Sequence, residues 1–401
     1  MEKVKLGEIA LLINGDRGKN YPSQEDITDD GEVPFVNAGH LNGKNIDYSD
    51  MNYISQEKYE KLSSGKFEKG DILYCLRGSL GKKAIVNDEV RGAIASSLVI
   101  IRPDRKKVNG DYLMFSLDAP TIREQLTKAN NGSTQPNLSA SSVREFRIEL
   151  PTLLVQKDVV EKLTKLQHVI EKRQNQINLL DKLVKARFVE MFGDPEMNPY
   201  GWQKINISNI VQGKVSNGYF AKRDEYVEDG NAAILGVAYI VNRMYSGIEG
   251  LPRTNVTLAD IQKYKVRYGD MLFCRSSLVA EGIGKASIVP ENVPDNTLFE
   301  CHVIRLPLDM DKCVPEFMQV LSTTDYFRKQ MIAQSKTATM TTIGQDGIKK
   351  ANIILPPIEK QREFYSFVKQ IDKSKVVVSS KIKNAIFAIM LSVSFGQITS
   401  I

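Results

Sequence analysis

Cysteine and histidine are scarce in this chain, four of the one and three of the other among 401 residues. No two of Cys75, Cys274, Cys301 and Cys313 stand as Cys-x-x-Cys, and His40, His168 and His302 complete no ligand spacing with them, so no metal is assigned. No secretory leader is legible, and the thiols read as buried groups of a cytoplasmic protein rather than as a disulfide framework. Long hydrophobic runs are missing too. Ala385 to Phe395 is too short to span a bilayer and is broken by Ser392 and Ser394, so no membrane partner is expected. Signatures of chemistry are also absent: no Gly-x-Gly-x-x-Gly behind a strand, no GxxxxGK[ST], no HExxH and no GxSxG. Charge of one sign is only mildly in excess, at +6, which fits a nucleic-acid partner without requiring one.

What the chain does contain is a second copy of itself. GDILYCLRG from Gly70 and GDMLFCRSS from Gly269 pair Asp71 with Asp270 and Cys75 with Cys274, and bring Gly81-Lys82 against Gly284-Lys285. Upstream, VKLGEIA from Val4 matches INISNI from Ile205, and Asn14-Gly15 matches Asn217-Gly218. Downstream, NLSASSVREFRIELPTLLVQ from Asn137 aligns with TIGQDGIKKANIILPPIEKQ from Thr342, setting Leu150-Pro151 on Leu355-Pro356 and Gln156 on Gln361. The matches keep their order along the whole chain, as an internal repeat requires.

Each copy opens with short β-branched or aromatic runs broken by Gly, Asn, Asp and Pro, interrupted by helical stretches at Asp111 to Lys128 and Pro315 to Ala333. A Leu-Pro boundary then opens a long segment of helical periodicity. The expected organisation is a globular domain at 1–150, a helix at 151–193, a second domain at 194–355 and a second helix at 356–401. The class is α+β: two mixed α/β domains in pseudo-two-fold repeat, separated by two long antiparallel coiled-coil helices. In the first helix, from Leu153 to Phe192, one heptad position holds Val159, Leu166, Arg173, Leu180 and Arg187, and the other Leu163, Ile170, Ile177, Val184 and Met191. In the second the two positions hold Phe364, Ile371, Val378, Ala385 and Ser392, and Val368, Lys375, Ile382 and Ile389. An apolar seam over about five heptads signals a coiled coil, the alternative being a long helix packed on its own domain. Arg173 and Lys375 either fix register or snorkel.

Two segments carry a resemblance. MFGDPEMNPYGW (Met191 to Trp202) and GSTQPNLSASSVREFRIELP (Gly132 to Pro151) resemble the corresponding parts of type I restriction-modification specificity subunits, as does the order domain, helix, domain, helix over essentially all of the chain. The second copy departs from the pattern, with SKTATMTTIGQDGI in place of the Ser-Thr-Gln-Pro turn and FGQITSI where the first helix runs on as FGDPEMNP. The resemblance implies a chain that catalyses nothing and binds no cofactor. Its domains would each read one half of a split double-stranded DNA target. Its helices would hold two methyltransferase subunits, which methylate an adenine in each half with S-adenosylmethionine. Restriction subunits using ATP and Mg would join and cut unmodified DNA.

The residues agree with that division of labour. Asn198-Pro199-Tyr200-Gly201 is superficially like the Asn-Pro-Pro-aromatic loop of amino-methyltransferases, but it lacks the second proline and sits at a helix-domain junction, where Pro199 and Gly201 shape a linker. DNA contacts need loop side chains that donate to phosphates or match base edges. The candidates in the first copy are Arg17, Lys19, Tyr21, Asn37, His40, Arg77, Ser79, Lys82, Lys83, Ser133, Thr134 and Gln135. In the second they are Asn217, Tyr219, Lys222, Arg223, Arg243, Arg275, Ser276, Lys285, Ser335, Lys336 and Thr337. Tyr21 and Tyr219 have a core alternative, and the two Asn-Gly pairs a hairpin alternative. Arg77 and Arg275, each just past a buried-looking strand, are the best single choices. Cys75 and Cys274 read as small core residues.

Three other functions compete: a self-contained methyltransferase or nuclease, a coiled-coil protein scaffold, and the recognition subunit of another DNA-modification defence system. If both copies read DNA from one face, the half-site centres lie about one helical turn apart, roughly 10 base pairs, with the helices as the ruler. Removing four residues from both helices shortens them by about 6 Å and is expected to reduce the preferred spacer by about one or two base pairs. Methylation-site mapping that returns an unchanged spacer would refute the ruler.

Overall fold

The structure, a computed structural model, describes residues 3–130 and 136–395, the side chains of Arg223 and of 387–395 excepted. It divides into two units, Met1–Gln174 with Ser379–Ile401, and Asn175–Val378. Each long helix therefore begins in one unit and ends in the other.

In the first unit a four-stranded antiparallel sheet runs Ala10–Asn14, Leu98–Pro103, Ile72–Cys75, Lys83–Ile85. A second sheet runs Tyr53–Ile54, Val33–Val36, Gly92–Ile94, Lys66–Phe67, its middle pair parallel. Ile72–Cys75 is buried on both faces and so lacks a polar alternate. The period of two sends Ile72 and Tyr74 into one apolar cluster and Leu73 and Cys75 into another. Lys3–Lys5 pairs with Arg147–Glu149 and closes the unit.

The second unit repeats this plan by itself. Its main sheet runs Ser216–Asn217, Val303–Leu306, Met271–Cys274, Ala286–Ile288, its second sheet Arg253–Thr254, Ala232–Leu235, Thr297–Phe299, and Gln203–Asn206 pairs with Asn352–Leu355. The equivalence extends to single hydrogen bonds. Gly81 N donates to Cys75 O at 3.1 Å and Gly284 N to Cys274 O at 2.9 Å; the Cys75 and Cys274 amides donate to Lys82 O and Lys285 O, both at 2.8 Å. Both cysteines are core residues as expected, and burial pushes their thiols up. One element is particular to the second unit among the described residues: a three-stranded sheet of Ser276–Ser277, Thr341–Thr342 and Lys336–Thr337.

Two sequence expectations need correction. Asp111 to Lys128 is two helices, Gly110–Ser116 and Pro120–Ala129, because Pro120 supplies no amide to continue a helix and starts a new one instead. Pro315–Ser322 and Asp325–Ala333 are likewise separate, the second capped by the Thr324 side chain. Nor are the Asn-Gly pairs hairpins. Asn14 and Asn217 end strands, opposite Val99 and Ile304, and a Cβ on Gly218 would stand 2.2 Å from Phe299 O.

The long helices span Leu153–Phe192 and Ile358–Phe395. The expected seam positions Val159, Leu163, Val184, Phe364, Val368 and Ile371 are buried, while Leu166, Ile170, Ile177, Leu180, Val378 and Ile382 are half-buried. The Ile389 side chain lies outside the described residues. Within the second unit the two helices run antiparallel, since Asp181 meets Lys375 at 2.6 Å, Arg187 meets Glu363 at 3.6 Å, and Phe188 meets Phe364. Lys375 is thus paired, with Asp372 also 3.5 Å away. Heptad counting goes wrong at the end of the first helix, where Phe188 and Phe192 are buried in place of Arg187 and Met191. A straight helix of 3.6 residues per turn drifts about 20° per heptad, which moves the buried stripe by one position. There it becomes domain core: Phe188, Phe192, Phe317 and Phe364 pack with ring centroids 4.9 to 5.7 Å apart. Gly193, at φ +74°, then ends the helix, and the Asn198 carboxamide closes the junction turn on both main-chain groups of Trp202.

Asp270 differs from its counterpart. Two bonds of 2.8 Å from Arg102 hold Asp71, whereas the Arg305 guanidinium stands 3.9 Å from Asp270, and burial pushes that carboxyl up to about 6. A raised folded pKa means that the folded state binds the extra proton between pH 3.8 and about 6. The stability of the second unit accordingly falls as pH rises through that window and stays lower above it. Asp270→Asn keeps the acceptor for the Arg267 amide. It is expected to flatten the dependence and to raise stability at pH 7.5 by about 1 to 3 kcal/mol, read from urea unfolding at several pH values.

Candidate nucleic-acid interface

Arg17 stands on a loop pinned from beneath. The buried Asp16 carboxylate accepts bonds from Gly18 N at 2.8 Å, Ser63 N at 2.8 Å and Ser63 Oγ at 2.9 Å, and the Gly18 amide is the main reason its pKa is lowered. Arg77 follows the end of Ile72–Cys75. There Gly78 N donates to Pro136 O at 3.1 Å and Leu138 N to Leu76 O at 2.8 Å, so that 76–78 pairs with 136–138. Ser139 caps the helix Ala140–Arg144 by accepting from Ser142 N, and that helix presents Arg144.

These elements surround a cleft of about 420 Å³ lined by Leu12, Asn14, Arg17, Arg77, Asn137 to Ser141 and Arg144. Three guanidinium groups face it and no carboxylate does among its described lining residues. The cleft therefore attracts anions. A guanidinium forks onto two phosphate oxygens or onto guanine O6 and N7, and the Asn14 and Asn137 carboxamides are of the type that matches adenine.

The other sequence candidates in the first unit divide. Lys19 and Ser79 are exposed. Tyr21 takes its core alternative, packing edge-on to Phe35. Asn37 caps its own turn by accepting from Gly39 N at 2.7 Å, and the buried His40 Nδ1 accepts from Asn37 N at 3.1 Å. Burial lowers the His40 pKa, so the imidazole is neutral at pH 7 and offers a phosphate no charge. Lys82 is tied to Ala38 O at 2.9 Å, and Lys83 is buried in an ion pair with Asp118. Lys83 is thus no surface cation. Its place on a strand buried on both faces, rather than on a loop, is what the sequence reading missed. Ser133, Thr134 and Gln135 lie outside the described residues.

In the second unit Asn217 lies in the sheet, and Tyr219 packs against Tyr264, its hydroxyl pKa raised by burial. Lys222 is exposed, and the Arg223 side chain is outside the described residues. Arg275 is not used as Arg77 is: half-buried, it donates from Nη1 to Cys301 O at 3.2 Å. Ser276 is paired with Thr342, Ser335 Oγ donates to Ile332 O, and Lys336 and Thr337 are exposed on the hairpin. Arg243 and Lys285 line a different cavity, where Lys285 Nζ donates to Asn242 Oδ1 at 3.0 Å.

Spacing rules missed one cluster. Glu300, Cys301 and His302 bring ligand atoms within 4.8 Å of one another. Burial and the Glu300 carboxylate push the Cys301 thiol up, which keeps it protonated and ill-suited to a cation. Asn137, Ser139, Ser141 and Arg144 line the cleft without having been sequence candidates; they lie in the repeated segment before Leu150-Pro151.

The model of the type I restriction modification DNA specificity domain matches residues 1–179 and again 199–388. The chain is 21% identical to the EcoKI specificity subunit of Escherichia coli (strain K12), over 92% of this chain and 82% of that one. It is 22% identical to the MjaIX specificity subunit of Methanocaldococcus jannaschii, over 92% and 87%. A solved chain, described for complex assembly and conformational transition of the type I R-M system, superposes with a TM-score of 0.54 at 17% identity, covering 98% of this chain and 97% of that one. That likeness supports the fold.

Each DNA phosphate neutralised by a protein cation contributes about 0.9 to the salt slope of duplex binding. Replacing Arg17, Arg77 and Arg144 together by Ala is expected to cut the slope by about two to three and to weaken binding at least tenfold, measured by fluorescence anisotropy across a salt series. A slope equal to that of the unaltered protein would remove the cleft from the interface.

Proposed function

The chain belongs to the family of type I restriction modification DNA specificity domains, and from that premise we propose that it reads a bipartite DNA target and leaves the chemistry to its partners. The observation that carries the reading is one scaffold built twice with different polar groups at equivalent places. Strand order and individual hydrogen bonds are repeated. The cleft bearing Arg77 and Arg144, by contrast, gives way to a hairpin bearing Lys336 and Thr337 and to a tethered Arg275. Identical frames with unlike loops suit two unlike half-sites.

In this reading two methyltransferase subunits bind the long helices and supply S-adenosylmethionine chemistry on an adenine of each half-site. Restriction subunits bring ATP, Mg and cleavage. This chain supplies register and selectivity. Exposed Leu179 and Leu183, one turn apart on the first helix, are apolar groups that such a partner would cover. No helix among the described residues is long and apolar enough to cross a membrane, and the reading places the chain in the cytoplasm with the chromosome.

The test is a genome-wide map of methylated adenines with and without this gene. The expected result is loss of one bipartite motif. In a strain carrying the triple arginine replacement, methylation of that motif is reduced or its first half is relaxed. A methylation pattern indifferent to the gene would end the proposal.

A further inference from the structure

A cavity of about 410 Å³ opens within the second unit, and its origin is a difference between the repeats. In the first unit the buried Lys83 ammonium meets Asp118, and the depression beside them measures about 120 Å³. Strand register sets Ala286 where Lys83 stands, since Ala286 lies opposite Phe273 as Lys83 lies opposite Tyr74. The helix ends set Thr323 where Asp118 stands, for Thr323 N donates to Val320 O as Asp118 N does to Phe115 O, both at 3.0 Å. Losing a lysine side chain and a carboxylate empties volume and removes the anion that balanced the site.

Positive charge remains. Lys185, Arg243, Lys285 and Arg328 line the cavity, with Asp181 the single carboxylate among its described lining residues and already engaged by Lys375 at 2.6 Å. Arg328 Nη2 donates to Glu281 O at 2.9 Å, but its Nη1 is buried with no partner among the described residues, and desolvation disfavours its cation. A buried guanidinium nitrogen without an acceptor is costly, and an anion would relieve it. Val184, Met244 and Val320 form an apolar part of the wall, beside the polar Asn242, Gln319, Ser322 and Thr323. The volume falls within the range of about 300 to 1,000 Å³ usual for small-molecule sites.

We propose that this cavity receives a phosphate group joined to an apolar moiety, the phosphate taken by Arg243, Lys285 and Arg328 and the moiety laid against Val184 and Met244. The site belongs to the second unit and does not depend on what the cleft of the first unit binds. A free nucleotide-sized molecule and a nucleotide of a DNA strand share this chemistry.

The full chain is titrated with adenosine monophosphate, adenosine and inorganic pyrophosphate at constant ionic strength, followed by calorimetry and thermal unfolding. Adenosine monophosphate is expected to bind saturably and to raise Tm, while adenosine does neither. Arg243→Glu, at an exposed position, weakens binding at least tenfold. Joint Ala286→Lys and Thr323→Asp replacement, which rebuilds the pair of the first unit, abolishes it. Competition by a duplex oligonucleotide identifies the strand as the source of the phosphate, and lack of competition identifies a free ligand; either supports the site. Equal binding by adenosine, no binding of either phosphate probe, or binding unchanged in Arg243→Glu would overturn it.

Discussion

A wholly buried carboxamide holds the root of each long helix to its unit, and the direction in which the helix departs depends on it. Gln156 Oε1 accepts from Asn109 N at 2.8 Å, while its Nε2 donates to Pro151 O at 2.8 Å and Lys107 O at 3.1 Å. Gln361 makes the same three bonds, with Val314 N, Pro356 O and Lys312 O. These groups have no access to water, and each one orphaned costs about 1 to 3 kcal/mol. The helix beyond is 40 residues long, and at 1.5 Å per residue an error of a few degrees at its root displaces the far end by several ångströms. A carboxamide with donor and acceptor in fixed relation sets such an angle better than apolar packing, which tolerates sliding.

The helices are more than spacers. Val159 and Leu163 belong to the core of the first unit, and Val184, Phe188, Phe192, Phe364 and Val368 to that of the second. Shortening or rotating a helix therefore disturbs a domain as well as a distance. The Asp181–Lys375 pair and the Arg187–Glu363 pair set the register of the two helices inside the second unit, at the flank of the aromatic cluster.

Against this shared frame the units differ where polar groups are cheap to exchange. The first keeps Lys83 and Asp118 as a filled, neutral site and exposes three arginines around a cleft. The second replaces that pair by Ala286 and Thr323, opens a cationic cavity, and ties Arg275 into its own backbone. Buried strands such as Ile72–Cys75 and Met271–Cys274 cannot vary so freely, because each residue fills one of two cores. Diversity collects in loops while the frame stays fixed, as suits a reader of two unlike half-sites.

Repeat, strand runs and the two long helices were legible from residues alone, because β-branched alternation, the Leu-Pro boundary and a stretch free of Gly and Pro are local properties of the chain. The helix Leu153–Phe192 has the very ends expected of it. Side-chain availability was not legible. Lys83 and Tyr21 look like loop groups in one dimension, yet lie buried against Asp118 and packed against Phe35, while Asn137 and Arg144 look like scaffold and line the cleft. Local order follows from neighbours in the chain. Which charges face water, and which converge on one cleft, depends on strands brought together across dozens of residues, and only tertiary packing decided that.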